Sequence, residues 1–501
     1  MGDYGYGEIL KDLRSSFASG KTRTYEWRIS QLKAVVKLLE ENGAQIAEVL
    51  HKDLHKSRIE GELMETTLCL NDAIDSINNL RDWMKPAKVA KGAIFLLDSA
   101  YIQKEPFGVT LIIGAWNYPI QLVLLPLIGA IAAGNCALIK PSDVAEASAK
   151  FFEETIPKYL DTSSFRVVTG GIPETTALLK ERFDLIFYTG NSTVGKIVMR
   201  AAAEHLTPVV LELGGKSPVY VDKGVDIGIV ARRLAWGKYC NSGQTCIAPD
   251  YVMCPPELQD PLIASLKTVI DDFYTKDPKQ SDSYGRIVNG KHYQRLQGLK
   301  KGSVAAIEGE DDEKEKYIAP TVLKDVKFTD AVMQDEIFGP LLPIVTVQNH
   351  VEAIENINCR EKPLALYVFT NHKDVVQDFR DKTCSGALLI NDTVIHAGLS
   401  SLPFGGVGNS GMGAYHGKHS FDAFSHNKAV LEKSLSLDQV NNLRYPPYTE
   451  KKHSWVNWLM RKKIKKTGIA AFFPFVVMGA MFAFFFKTLG VTAETIRGKE
   501  D

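Results

Sequence analysis

Apolar and polar positions along the chain form two alternating patterns that predict an α/β protein. Residues 24–50 carry apolar side chains at three- and four-residue steps, among them Trp27, Leu32 and Leu39, which predicts a helix. Short continuous apolar runs then alternate with helix-like stretches, and such runs are typical of parallel strands buried on both faces. We expect a doubly wound sheet and a second α/β region after about residue 210. The predicted strands are 109–114, 136–140, 165–169, 185–189, 209–213, 364–370 and 387–391.

The strongest apolar run, residues 467–486, contains no charged residue and predicts a transmembrane helix. A helix of this length spans about 30 Å, the thickness of a bilayer core. Seven basic residues and no acid lie in 451–466, so the positive-inside rule places this flank and the large N-terminal part in the cytosol. Trp455 and Trp458 suit the headgroup region of the membrane. The alternative is a buried core helix.

Composition narrows the class of protein. A chain of 501 residues suggests about three domains, and 45% apolar with 24% charged residues is ordinary for a globular protein. The 59 basic and 59 acidic residues cancel, which argues against a nucleic-acid binder. Seven cysteines, an odd and sparse number, indicate a reducing compartment rather than a disulfide framework.

Cys246 and Glu212 have surroundings that suit chemistry. Small polar residues at 241–245 would leave the Cys246 thiol accessible, as a nucleophilic thiolate requires. Glu212 lies between two leucines at the end of an apolar run, so poor solvation should raise its pKa toward that of a general base. The plainer alternatives are a buried thiol and a glutamate paired with a lysine. Cys240, Cys246 and Cys254 lack metal-ligand spacing, so no metal is expected.

Residues 188–195 predict a tight turn from a strand into a helix. Backbone N–H groups at a helix start form a natural phosphate site. The turn has Gly190 and Gly195 with four residues between them, which is neither the dinucleotide fingerprint nor the phosphate loop. A cofactor loop and an ordinary turn both stay open on this pattern.

Eight short motifs, in order along the chain, carry a resemblance to one family that covers residues 8–446. They are Pro-Phe-Gly at 106–108, Trp-Asn-Tyr-Pro at 116–119, Lys-Pro-Ser at 140–142, Thr-Gly at 189–190 with Gly195, Leu-Glu-Leu-Gly-Gly-Lys at 211–216, Gly-Gln-Thr-Cys at 243–246, Glu-Ile-Phe-Gly-Pro at 336–340 and Pro-Phe-Gly-Gly-Val-Gly at 403–408. In this order they resemble the aldehyde dehydrogenase superfamily. The stretch 411–418 resembles its class 3 branch, and membrane-bound fatty aldehyde dehydrogenases of that branch carry a C-terminal anchor.

The resemblance implies a role for each candidate residue. Cys246 would attack the aldehyde carbon, while the Asn117 amide and the Cys246 backbone N–H hold the oxyanion. After hydride transfer to the nicotinamide of NAD, or of NADP, Glu212 would activate the water that releases the acid from the thioester. The implied cofactor residues are Lys140, Gly190, Gly195, Glu336 and Phe338, and Tyr415 and His416 match a pair near the active site.

The resemblance also implies two doubly wound α/β domains, a small β oligomerisation arm and a homodimer. The expected segments are an NAD-binding domain at 1–209 with part of the arm near 85–105, a catalytic thiol domain at 210–398, a return segment and arm at 399–446, a basic interfacial segment at 447–466, the transmembrane helix at 467–486 and a short tail at 487–501. We expect the anchor in the endoplasmic reticulum, with the outer mitochondrial or peroxisomal membrane as alternatives.

The anchor favours lipophilic substrates, because each buried CH₂ group adds about 0.8 kcal/mol to membrane partitioning. Medium- to long-chain aliphatic aldehydes are therefore the expected substrates. Asp143 occupies a position where family members often have Glu, so the choice between NAD and NADP stays open. An acid near the 2′-hydroxyl of the adenosine ribose favours NAD. Three alternatives remain: a CoA-acylating dehydrogenase, an inactive membrane-tethered scaffold, and a Cys/His hydrolase without a dinucleotide.

Overall fold

The computed structural model of the chain describes residues 4–436 and 438–462. It has two compact units: Met1–Pro86 with Gln103–Lys428, and Ala87–Ile102 with the described part of Ala429–Asp501. Within the described residues no helix is both long and apolar enough to cross a membrane. The predicted span at 467–486 and the tail after it lie outside those residues, as does the end of the basic segment.

The described residues contain seventeen α-helices, of which α16 and α17 belong to the smaller unit. A π-helical turn, Glu62–Thr66, joins the fourth and fifth helices. The α-helices are α1 Tyr6–Ala18, α2 Tyr25–Glu41, α3 Gly43–Leu54, α4 Arg58–Gly61, α5 Thr67–Trp83, α6 Gln121–Ala133, α7 Glu146–Tyr159, α8 Ile172–Leu178, α9 Ser192–Ala203, α10 Ile227–Tyr239, α11 Pro256–Tyr274, α12 Gly290–Lys300, α13 His350–Asn358, α14 Lys373–Lys382, α15 Gly417–Ala423, α16 Asp438–Asn441 and α17 Glu450–Met460.

The strands form three sheets. They are β1 Ala87–Lys88, β2 Ser99–Pro106, β3 Val109–Ile113, β4 Cys136–Lys140, β5 Phe165–Val167, β6 Leu185–Thr189, β7 Val209–Glu212, β8 Pro218–Val221, β9 Tyr251–Cys254, β10 Val304–Ile307, β11 Thr321–Lys324, β12 Leu341–Thr346, β13 Ala365–Phe369, β14 Ala387–Ile390, β15 Gly411–Met412 and β16 Ser425–Glu432.

The first large sheet has the order β15-β7-β6-β3-β4-β5. Its strands are parallel except β15, which pairs antiparallel with the edge of β7. The chain runs outward from β3 through β4 and β5, then returns to β6 beside β3. This reversal is the topological switch point of a doubly wound fold, and ligands bind there at the carboxyl ends of the strands. The predicted α/β class is confirmed.

The second large sheet has the order β10-β11-β12-β9-β8-β13-β14, and only β10 runs antiparallel to its neighbour. Separate apolar cores cover the two faces of each large sheet. Helix α6, on the first sheet, is buried along its whole length. Strands covered on both faces need apolar side chains at every position, which is why the apolar runs were visible in the sequence.

The predicted strands agree with the structure to within two residues at each end. The prediction of a single helix over 24–50 is wrong in one respect, because the helix is broken between α2 and α3. Asn42 ends α2 with backbone angles outside the helical region, and its side-chain amide donates to Leu38 O at 2.8 Å and to the Tyr159 hydroxyl at 2.9 Å. The proposed domain boundaries stay a prediction.

The smaller unit contains β1, the first part of β2, the end of β16 and helices α16 and α17. Strand β1 pairs antiparallel with β2, and the sheet order is β1-β2-β16. Tyr101 donates its hydroxyl to Glu432 at 2.7 Å, and Lys433 forms an ion pair with Asp98 at 2.6 Å. Trp455 lies on α17. The role of this unit as an oligomerisation arm stays a prediction.

A buried asparagine gives a test of the larger unit. Asn135 has no exposed surface; it accepts from Gly108 N and donates to Phe424 O, both at 2.9 Å. We expect Asn135→Ala to lower the free energy of unfolding by about 3 kcal/mol, because it leaves two buried backbone groups without partners. Urea unfolding followed by tryptophan fluorescence measures this. Asn79→Ala, which removes an exposed amide bonded to Asp75 O, is the matched control, and equal losses in the two variants would contradict the prediction.

Candidate active site

The carboxyl ends of the parallel strands in the first sheet bring the candidate residues to one edge. Glu212 is the last residue of β7, Thr189 the last of β6 and Lys140 the last of β4. The loop after β3 carries Asn117. Glu212 and Thr189 are direct partners in the parallel register. The topology therefore explains why residues far apart in the sequence meet at this edge.

A largely apolar pocket opens beside this edge. Cys246, Glu212, Tyr415 and His416 all line it, so the structure brings these four predicted residues together. The other lining residues are Met64, Leu68, Tyr118, Gln121, Leu122, Thr189, Leu213, Thr245, Ile247, Leu364, Val394, Ala397 and Phe404. An apolar pocket with a few polar groups converging on it is typical of a small-molecule site.

Glu212 enters the pocket without a partner. Its side chain is buried, and neither carboxylate oxygen has a hydrogen-bond partner among the residues that the structure describes. Burial raises the pKa of this carboxyl well above its usual range. Among the described residues Glu212 is therefore not paired with a lysine, which was the alternative interpretation. A carboxyl in this state is a weaker acid than a solvated one, and once ionised it is a stronger base.

Cys246 follows a tightly wound loop. Asn241, Ser242 and Gly243 all have φ between 51° and 74°, the left-handed region. The buried Gln244 side chain holds this loop: its amide donates to Asn241 O at 3.0 Å, and its oxygen accepts from Val288 N at 2.9 Å. The loop thereby presents the thiol to the pocket.

The thiol itself is half-buried. Burial raises the pKa of Cys246 above its ordinary value, and the nearby Glu336 and Glu212 carboxyls raise it further. The backbone N–H groups of Cys246 and Ile247 act in the opposite direction. The thiol therefore needs a proton acceptor to become a nucleophile, and Glu212 shares its pocket.

Close backbone contact fixes the loop from the other side. A Cβ atom at Gly243 would overlap the carbonyl oxygen of Gly339, so the two chain segments touch without side chains between them. Gly243 also has a φ of 74°, which favours glycine. The loop that carries Cys246 and the segment 336–340 are thus direct neighbours.

Asn117 lies beside the nucleophile loop. Its buried side-chain amide donates one hydrogen to Gln244 O at 3.1 Å, which leaves the second amide hydrogen for a ligand. The Tyr118 hydroxyl and Thr245 Oγ1 are 2.8 Å apart. Two consecutive residues therefore connect this turn to the two residues that precede Cys246.

Tyr415 and His416 form part of the wall of the pocket. The His416 ring stacks on Phe404 with centroids 4.9 Å apart, and its buried Nε2 has no hydrogen-bond partner within residues 4–436 and 438–462. Burial lowers the pKa of His416 to about 3, so the ring is neutral at physiological pH. Its backbone has a φ of 79°, an uncommon conformation for a residue with a side chain. Asp72 holds the next residue by accepting from Gly417 N at 2.6 Å.

The residues implied for a cofactor lie outside this pocket. Lys140 is buried with its ammonium 3.6 Å from Asp143, whose side chain is half-exposed. Gly190 follows β6, and Asn191 caps α9 by accepting from Val194 N at 2.9 Å. A Cβ atom at Gly195 would lie 2.8 Å from a Leu213 methyl group, so this glycine lets α9 pack closely on the chain after β7.

Glu336 and Phe338 belong to the segment that touches the nucleophile loop. A Cβ atom at Gly214 would overlap the Glu336 carboxylate, and burial raises the pKa of Glu336 to about 8. Phe338 has a φ of 49° and packs edge-on against Trp116 at 5.3 Å. Arg295 donates to Ile337 O at 2.5 Å and supports this conformation.

Sequence reasoning missed the buried charges that support the site. Lys56, Glu65 and Asp72 contact the loops around the pocket, and each is almost fully buried. In the sequence they occur in a segment with many charges, 51–75, which is also what an exposed helix would show. The π-helical turn that holds Glu65 has no distinctive sequence signal.

The chain belongs to the aldehyde dehydrogenase family, because residues 7–430 match that family. It is 54% identical over 446 residues to aldehyde dehydrogenase family 3 member B1 of Rattus norvegicus, which covers 89% of this chain and 95% of that protein. It is 49% identical over 476 residues to family 3 member A2 of Mus musculus, covering 95% and 98%. The predicted superfamily is confirmed, and both relatives belong to family 3.

Solved structures agree with this assignment. Staphylococcus aureus AldH, in a substrate-bound state, superposes with a TM-score of 0.89 at 41% identity and covers 92% of this chain and 100% of its own. A Mycobacterium tuberculosis aldehyde dehydrogenase complexed with NAD+ gives 0.75 at 26% identity, covering 85% and 89%. An NADP-dependent glyceraldehyde-3-phosphate dehydrogenase of Bacillus halodurans C-125, complexed with NADP, gives 0.76 at 25%, covering 85% and 90%.

The unpaired Glu212 carboxyl predicts a pH-dependent effect on stability. Its pKa is raised on folding, so it stabilises the fold at low pH and this stabilisation is lost as pH rises through the folded-state pKa. At pH values between the unfolded-state and folded-state pKa of Glu212, we expect the free energy of unfolding of Glu212→Gln to rise relative to that of the wild type. The expected rise is about 1.4 kcal/mol per pH unit. Urea unfolding from pH 5 to pH 9 measures the difference. A difference that does not change with pH would contradict a raised pKa.

Proposed function

We propose that the protein oxidises medium- to long-chain aliphatic aldehydes to carboxylic acids with NAD, or alternatively NADP. The observation that carries the proposal is the shared pocket of Cys246 and Glu212: a thiol and an unpaired buried carboxyl line the same apolar cavity. This combination suits a nucleophile and the base that serves it. Membership of the aldehyde dehydrogenase family supports the reaction class.

In the first step the Glu212 carboxylate takes the proton of the Cys246 thiol, and the sulfur adds to the aldehyde carbon. The C=O electron pair moves onto oxygen, and the free N–H of the Asn117 amide and the Cys246 backbone N–H stabilise the resulting oxyanion. The product is a thiohemiacetal. The largely apolar lining of the pocket lowers the local dielectric constant, which strengthens each electrostatic contact.

The oxyanion then re-forms its carbonyl group as hydride leaves the substrate carbon, which leaves a thioester on Cys246. The oxidised nicotinamide ring supplies the hydride acceptor when the cofactor is bound. With its proton released to solvent, Glu212 takes a proton from water as the water oxygen attacks the thioester carbon. The tetrahedral intermediate re-forms its carbonyl group as the C–S bond breaks, the Cys246 thiolate takes the proton back from Glu212, and the carboxylic acid leaves. Tyr415 and His416, neutral in this pocket, are assigned to shaping the wall.

The residues at the strand ends fit a dinucleotide. Lys140 supplies a buried lysine side chain, and the backbone N–H groups at the start of α9 can bind a phosphate. The buried Thr189 hydroxyl has no hydrogen-bond partner among the described residues. At Gly214 the absence of a side chain makes room for the Glu336 carboxylate. We assign Lys140 to the adenosine ribose, Gly190 and Gly195 to the pyrophosphate turn, and Glu336 and Phe338 to the nicotinamide end. Asp143 beside Lys140 favours NAD, since a carboxylate repels a 2′-phosphate.

Aliphatic chains suit the lining of the pocket. Met64, Leu68, Ile247 and Phe404 are among its apolar residues, and burying each CH₂ group contributes about 0.8 kcal/mol. The bound chain therefore gains affinity with length as long as the cavity accommodates it. We extend the proposal to a homodimer anchored by 467–486 in the endoplasmic reticulum membrane, with the catalytic part in the cytosol.

Substrate preference gives the primary test. We expect purified full-length protein in detergent to form NADH with hexadecanal at a kcat/KM at least tenfold above that with acetaldehyde, because the pocket buries the longer chain. Cys246→Ala should abolish NADH formation, and Cys359→Ala, which removes an exposed thiol, is the matched control. Folded protein that reduces no cofactor with any aldehyde would contradict the proposal.

The membrane segment is tested by two truncations. Removing 467–501 should move the protein from the membrane fraction to the soluble fraction without changing turnover of hexanal, because Cys246 and Glu212 both lie outside the removed segment. Removing 451–501 should also lower turnover of vesicle-borne hexadecanal, since we assign 455–466 to guiding the chain from the interface. Equal effects on both aldehydes, or none, would contradict that assignment.

A further inference from the structure

Lys56 and Glu65 form an ion pair that no step of the proposed reaction uses. Lys56 Nζ lies 2.6 Å from Glu65 Oε1, and neither side chain has exposed surface. Removing two charges from water is costly, and their attraction offsets the cost only when further hydrogen bonds satisfy both groups. The partners of each group therefore show what the pair holds in place.

The ammonium of Lys56 holds the backbone of Asn117. It donates to Asn117 O at 3.2 Å and lies 4.1 Å from the centre of the Tyr118 ring. The same carbonyl accepts from Asn241 Nδ2 at 2.7 Å. Two donors on one carbonyl limit the rotation of this peptide, and the direction of the Asn117 side chain depends on that backbone.

The carboxylate of Glu65 holds the other end of the same turn. Its second oxygen accepts from Ile120 N at 2.9 Å and from Gln121 N at 3.2 Å. These N–H groups begin α6 and have no partner within the helix, and a negative charge is favourable at this end of the helix dipole. Glu65 reaches them from the π-helical turn Glu62–Thr66, a conformation frequent at functional sites.

The segment that carries the pair also contacts the nucleophile loop. Glu60 accepts from Asn241 N at 2.8 Å, and Asn241 in turn donates to Gln244 O at 3.1 Å. Residues 56–65 therefore hold both the turn with Asn117 and the loop that leads to Cys246. This is an arrangement for fixing a distance between two groups.

We propose that the Lys56–Glu65 ion pair is a positioning device for the oxyanion site, which sets the Asn117 amide in its place relative to Cys246. Neither residue touches the substrate; the pair acts through Asn117. The inference rests on the proposed function, which gives Asn117 its role at the oxyanion. It follows that losing the pair weakens stabilisation of the transition state rather than binding of the aldehyde.

A double-mutant cycle in the full-length protein tests this inference. Lys56→Met/Glu65→Gln removes both charges of the pair together, while the Gln oxygen still faces the N–H groups of Ile120 and Gln121. We expect this double variant to lower kcat about tenfold or more with KM for hexanal within about twofold, and Asn117→Ala to lower kcat about 100-fold. The variant with all three changes should be no slower than Asn117→Ala, within about threefold, because the pair acts through that amide.

Multiplied losses in the triple variant would overturn the inference, because they would show that the pair acts independently of Asn117. If Asn117→Ala alone loses no kcat, the oxyanion assignment in the proposed function has failed, and the inference with it. Thermal midpoints confirm that each variant is folded. Should the double variant not fold, Glu65→Gln alone enters the same cycle with the same two outcomes. Lys52→Met removes an exposed lysine that is 2.6 Å from Glu48 on the same helix, α3, and it should leave kcat unchanged.

Discussion

The site depends on one constraint: the backbone carbonyl groups buried in the turn and the loop beside the thiol must accept hydrogen bonds, and this joins them in one network. The carbonyl groups of Asn117 and Gln244 are the centre of this network, and a missing partner would cost about 1–3 kcal/mol for each. Lys56 and Asn241 supply donors to the first carbonyl, and Asn117 and Asn241 supply donors to the second. Satisfying these groups leaves little freedom for the turn and the loop, so bonding requirements alone determine much of the geometry around Cys246.

The fold was predictable to the extent that local pattern and tertiary environment agree. Strands at 136–140 and 185–189 were found with their correct ends because both faces of the sheet are covered, which requires an uninterrupted apolar run. The break at Asn42 was not found, because it leaves the apolar period intact. The side chain that ends the helix there is bonded to Tyr159, 117 residues further along the chain, and no local pattern contains that contact.

The site shows the same division. Glu212 and Cys246 were predictable because their sequence neighbours determine their solvation. Leucines flank Glu212, and small polar residues precede Cys246. Lys56 and Asp72 were not predictable, because their hydrogen-bond partners in the fold, Asn117 O and Gly417 N, lie 61 and 345 residues away. The family motifs named the residues that touch ligands, and motifs of that kind do not include the charged residues that hold the ligand-binding turns.

The contact between Gly243 and Gly339 has a mechanical meaning. A side chain is a compliant layer, since it can change rotamer and absorb a small displacement of its neighbour. Here backbone meets backbone, because a Cβ atom at Gly243 would overlap the carbonyl oxygen of Gly339. A displacement of the segment 336–340 toward this loop therefore acts directly on the backbone that leads to Cys246, with no side chain between them to absorb it.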